Sequence, residues 1–118
     1  MSALQAQLKA DLTRAMRAGE RPTMSVLRTA LAAIANAEAQ AVPHTPASQM
    51  NSTPIAGATA GLGSTDIPRR TLTDDEMREV IGAERSERLM VADTLHEAGR
   101  GADAQRLRDE ASVLERYL

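Results

Sequence analysis

The sequence has no cysteine, tryptophan or phenylalanine, and its single aromatic residue is Tyr117. Without cysteine there are no disulfides, thiolate nucleophiles or Cys-ligated zinc or iron–sulfur centres, which fits an expected cytoplasmic location. With one aromatic, a β-sandwich or barrel is disfavoured. The stacking platforms of single-stranded nucleic-acid binders are missing for the same reason. No apolar run approaches the 18 or more residues of a membrane span, so no membrane partner is expected. The opening "MSALQAQLKADL" carries a polar residue at every second or third position and does not read as a signal peptide.

What is present is Leu, Ile, Val, Met and Ala at helical spacing, in a chain of 118 residues with room for one domain. Such a chain buries roughly 60 to 70% of its unfolded surface, which predicts modest stability. The net charge of −2 conceals an asymmetry. Residues 1–21 hold Lys9, Arg14, Arg17 and Arg21 against Asp11 and Glu20, a net +2. Residues 71–118 hold twelve acids against seven arginines, a net −5. A nucleic-acid binder usually concentrates its basic residues on one face, and here only the first helix leans that way.

The expected fold is all-α, a compact four-helix unit with a long disordered loop between helices two and three. Ser2 and Gln5 make a capping box ahead of Leu4, Leu8, Leu12 and Met16, and Gly19 is placed to end that helix in a left-handed cap. Pro22 suits a first helical turn, and Val26, Leu27, Leu31 and Ile34 form the stripe of a second helix reaching about Ala41. Residues 42–70 follow, with four of the five prolines and three charged residues. No period survives there, so a disordered insertion is expected. In "TLTDDEM", Thr73 is an N-cap, Glu76 closes a capping box, and Leu72 and Met77 form a hydrophobic staple. This third helix is expected to run to about Ala98, before Gly99. A fourth starts near Ala102 with Leu107, Ala111, Leu114 and Leu118 as its stripe. The third stripe is interrupted by "ERSER", where Glu84 and Arg88 are spaced as a solvated i, i+4 surface pair.

Catalytic chemistry finds little support. His44 falls in the expected loop, and His96 near the end of helix three, where an imidazolium suits the helix dipole. No second His or any Cys completes a metal site around either one, so no metal and no cofactor are expected. Ser48, Ser52 and Ser64 lack a nucleophile elbow, and "GATAGLG" lacks the lysine and capped helix of a phosphate loop. The acid pairs Glu84/Glu87 and Asp109/Glu110 read as exposed helix charge.

Four segments in order, "QLKADLTRAMRAGE", "VLRTALAAIANAEA", "LTDDEM" and "HEAGRGADAQRLRDEASVLERYL", resemble the N-terminal helical domain of the GatB/YqeY family. These are small, mostly bacterial proteins related to the tail of the B subunit of the tRNA-dependent amidotransferase. The likeness covers residues 1–41 and 71–118. It departs from the family in the insertion at 42–70, in the absence of the usual C-terminal helical domain after Leu118, and in Ala35, Ser86 and Leu89, where basic residues are expected.

The resemblance implies a four-helix unit with no catalysis by this chain alone. It carries a family-level association with carbon–nitrogen ligase activity using glutamine as amido-N-donor. It also implies a role as an RNA-linked accessory module that contacts tRNA, or a tRNA-bound complex, weakly through Arg14, Arg17, Arg21, Arg28 and Arg88. The alternative is a helical protein–protein module without an RNA role, in which an exposed helical face docks a partner. Within "LRTALAAIANAEA", Leu27, Leu31 and Ile34 point inward, and the small residues read as close helix packing. Arg28 is the segment's one candidate binding residue, and Asn36 is placed to serve the backbone near the helix end.

Overall fold

Two glycines set the topology. In the computed structural model, which describes residues 2–40 and 71–118, Gly19 and Gly99 both lie in the left-handed region, with φ of 71° and 79°. The first joins α1 (Ala3–Ala18) to α2 (Arg21–Gln40), and the second joins α3 (Asp74–Glu97) to α4 (Gly101–Glu115). Both corners are closed by the same pair of hydrogen bonds. Gly19 donates to the Met16 carbonyl at 3.3 Å and Glu20 to Ala15 at 3.0 Å; Gly99 donates to His96 at 3.0 Å and Arg100 to Leu95 at 2.8 Å. This is the Schellman arrangement, which needs a residue free of the left-handed Cβ penalty.

The helix starts follow their caps. The Ser2 hydroxyl accepts from the Gln5 amide at 3.0 Å. It also donates to the Asp74 carboxylate, joining the beginnings of α1 and α3. Thr73 accepts from the Glu76 amide at 3.1 Å while the Glu76 carboxylate accepts from the Thr73 amide at 2.9 Å, so the capping box is complete. Three acids, Asp74, Asp75 and Glu76, occupy the first turn of α3, complementing the positive end of its dipole.

The α3–α4 hairpin forms the most extensive helix–helix interface and α1–α2 the next; α2 then packs on both α3 and α4, and α1 on α3. The hairpins share one core in which Leu8, Val26, Leu27, Ile34, Met77, Ile81 and Leu114 are fully buried. Leu72 and Met77, the two residues expected to form a staple, are both buried in this core.

Two ends of the expected stripes are corrected. Met16 is 51% exposed and Ala15 is buried instead. Residues four apart advance 400°, so the series Leu4, Leu8, Leu12, Met16 drifts about 40° per step off the inward face, whereas Ala15 returns to it. Leu118 is 50% exposed, while Tyr117 is buried. Helical periodicity stops applying at Glu115, where the closing turn rotates Tyr117 inward. The expected insertion at 42–70, with His44 and its three serines, lies outside the described residues.

Candidate functional site

Of the five arginines expected to bind, three belong to the α1–α2 corner. Arg14 and Arg17 lie in the last turns of α1, and Arg21 opens α2 just past Gly19. Arg28 stands seven residues beyond Arg21, hence on the same outer face of α2 about 10 Å further along. Arg17, Arg21 and Arg28 are exposed and pair with no carboxylate among the described residues.

Arg14 is tied down on one side. It pairs with Asp11 one turn earlier, and the Tyr117 hydroxyl donates to the other oxygen of the same carboxylate at 2.6 Å. Burial pushes the Tyr117 phenol well above its usual range, and the hydrogen bond to Asp11 and that residue's negative charge push it further in the same direction. The phenol therefore stays protonated and keeps donating. These groups, with Gln7, Glu20 and Arg116, line a polar pocket of about 230 Å³ beside the corner. The chain's only aromatic ring thus serves as a strut from the end of α4 to α1 and offers no stacking face.

Arg88 differs from the other four. Its guanidinium donates to Glu84 at 3.0 Å and across to Glu110 of α4 at 3.0 Å, and its side chain is 14% exposed. The i, i+4 pair with Glu84 is present, but it is not the solvated pair expected. The interruption "ERSER" faces α4, where Arg85 also meets Glu115 at 2.7 Å. Burial lowers the pKa of Arg88, and the hydrogen bonds and charges of Glu84 and Glu110 outweigh that, so the net shift is upward. Its charge is fixed and already answered.

Asn36 is exposed. In "AIANAE" it is Glu38 that serves the backbone, its carboxylate accepting from the Leu72 amide at 3.1 Å. This contact holds the approach to α3 against the end of α2. Nothing in the local pattern around Glu38 announces it, because the partner is 34 residues away.

A second feature lies between α2 and α4, a groove of about 470 Å³ over Pro22, Val26, Ala102 and Val113. Outside it, Met90 at 70% and Val91 at 44% are the most exposed large apolar side chains of α3. Among the described residues no group of His, Cys, Asp and Glu could hold a metal ion, and no helix is long and apolar enough to cross a membrane. In comparison with known proteins, no family model and no curated sequence matches the chain.

Proposed function

We propose that this chain is a non-catalytic helical accessory module that contacts tRNA, or a complex holding tRNA, through Arg17, Arg21 and Arg28, with Arg14 beside them. The reading takes the RNA role, the cytoplasmic setting and the tie to glutamine-dependent amidotransferases from the resemblance to the GatB/YqeY family. One observation carries it to particular residues: three exposed guanidiniums at the α1–α2 corner and along α2 lack a carboxylate partner among the described residues. Such cations can neutralise phosphates without first losing an internal ion pair, and each phosphate neutralised releases counterions. Contact of this kind fixes position and orientation, and reads no sequence.

The test is a titration of the full chain against total tRNA across a salt series. With about three phosphate contacts, log K should fall with log salt at a slope of roughly −2 to −3. Arg17→Glu, Arg21→Glu and Arg28→Glu together should abolish binding while leaving the helical signal and denaturation midpoint unchanged. Absence of binding at low salt would overturn the RNA reading. A second reading, a helical protein–protein module, is favoured by the apolar groove between α2 and α4, and it makes no use of these arginines.

A further inference from the structure

Six of the seven arginines in residues 71–118 hold a carboxylate, and Arg116 is the exception among the described residues. It follows the last residue of α4 and is exposed. Its charge suits the negative end of the α4 dipole, a weak and solvent-screened hold that leaves the guanidinium available.

Sequence places Arg116 with the acidic hairpin, but the fold carries it to the other one. In the closing turn the amides of Arg116 and Tyr117 donate to Val113 and Leu114 at 3.3 and 3.1 Å. Tyr117 is buried there and donates to Asp11 of α1 at 2.6 Å. Its chain neighbour Arg116 is thereby brought beside Arg14, and the two line the polar pocket at the α1–α2 corner. Both guanidiniums favour the ionised form of the Tyr117 phenol, against the larger effects of burial and Asp11, as charges near one hydroxyl do.

The acids of that pocket are Asp11 and Glu20. Asp11 is already engaged, by Arg14 and by Tyr117. Glu20 is exposed and pairs with no cation among the described residues. The Arg14 side chain remains 75% exposed, so its one ion pair leaves other N–H donors turned to solvent. Arg17 follows it at i, i+3 on the neighbouring surface of α1. The cations of the corner thus run from the end of α4 across α1 to the start of α2.

We infer that Arg116, beside Arg14, contacts a backbone phosphate of the RNA, so that the interface is composite and includes the end of α4. This rests on the RNA reading of the α1–α2 corner and adds to it a residue from the other hairpin. A guanidinium without an internal partner meets a phosphate without breaking an ion pair, and its planar fork can engage two phosphate oxygens.

The experiment titrates the full chain against total tRNA across a salt series, comparing wild type with Arg116→Ala, Arg116→Lys and Arg106→Ala. Arg106 is exposed on α4 and paired with Asp103, so its loss changes net charge equally. Arg116→Ala should weaken binding at low salt at least about threefold and flatten the salt slope by roughly one. Its denaturation midpoint should not move. Arg116→Lys, which keeps the charge, should retain most of the affinity, and Arg106→Ala nearly all of it. Glu20→Gln should tighten binding, because that acid opposes a phosphate at the pocket; unchanged or weaker binding would place the phosphate elsewhere and overturn the inference. The inference also fails if the Arg17→Glu, Arg21→Glu and Arg28→Glu chain loses binding while Arg116→Ala behaves like Arg106→Ala, and the corner reading then stands. No binding by the wild type at low salt would overturn both.

Discussion

The two hairpins treat their arginines differently. In residues 71–118, six of the seven arginines hold a carboxylate, within a helix or across the α3–α4 seam. In residues 2–40, Arg14 alone holds one among the described residues. The supply of acid differs between the two regions. The second region has twelve acids for its seven arginines, whereas the first has Asp11, Glu20 and Glu38 for five cations. Two of those three acids also accept from other groups, Asp11 from Tyr117 and Glu38 from the Leu72 amide. One hairpin pairs six of its seven arginines and has acid to spare, and the other keeps arginines without a carboxylate among the described residues. The two regions of the molecule therefore differ in charge, one keeping exposed unpaired arginines among the described residues and the other an excess of acid.

The contrast is one of charge, laid over a single core, and the largest expected effect tests that. Leu27→Ala on α2 and Ile81→Ala on α3, both fully buried, should each cost about 2–5 kcal/mol. Each should lower one common thermal transition followed by circular dichroism. Two separable transitions would mean that the hairpins fold independently and that their charge difference reflects two units.

Next in size is Arg88→Ala. It leaves Glu84 and Glu110 facing each other across a partly buried seam and should cost about 1–3 kcal/mol by urea denaturation. Arg28→Ala, at an exposed position without a partner among the described residues, should leave the midpoint where it is. Equal effects at the two positions would erase the distinction between committed and free arginines.

The smallest effect concerns the strut between the regions. Tyr117→Phe should cost about 0.5–1.5 kcal/mol at neutral pH through loss of the hydrogen bond to Asp11. Because the folded state raises the phenol pKa, the wild-type advantage is complete below the unfolded value of about 10 and is lost as pH rises above it. The gap between wild type and Tyr117→Phe should therefore narrow in denaturation series above pH 10. A gap that widens there would place the phenol in an environment that favours its charged form.

Local chemistry made much of this fold legible. Thr73 with Glu76, Gly19 and Gly99 mark helix ends by groups that act within a few residues, and each does so in the structure. The inward faces were readable where a helix continues, and failed at Met16 through accumulated rotation and at Leu118 through the end of α4. The local pair of Glu84 with Arg88 was readable, and the contacts between distant segments were not. Asp11 meets Tyr117 across 106 residues, and Arg88 meets Glu110 across 22, so no window of local pattern contains both partners. That is why Arg88 resembled the other candidate arginines in sequence and differs from them once folded.

One binding comparison tests most directly where the free positive charge lies. Two charge-reversed chains are titrated against total tRNA at low salt beside the wild type. One carries Arg17→Glu, Arg21→Glu and Arg28→Glu; the other carries Arg78→Glu, Arg100→Glu and Arg106→Glu, three exposed positions of the second region that are already paired. Net charge falls by the same amount in both. Loss of binding in the first chain with most of it kept in the second is the predicted result. Equal loss in both would reduce the effect to net charge and contradict an interface at the α1–α2 corner.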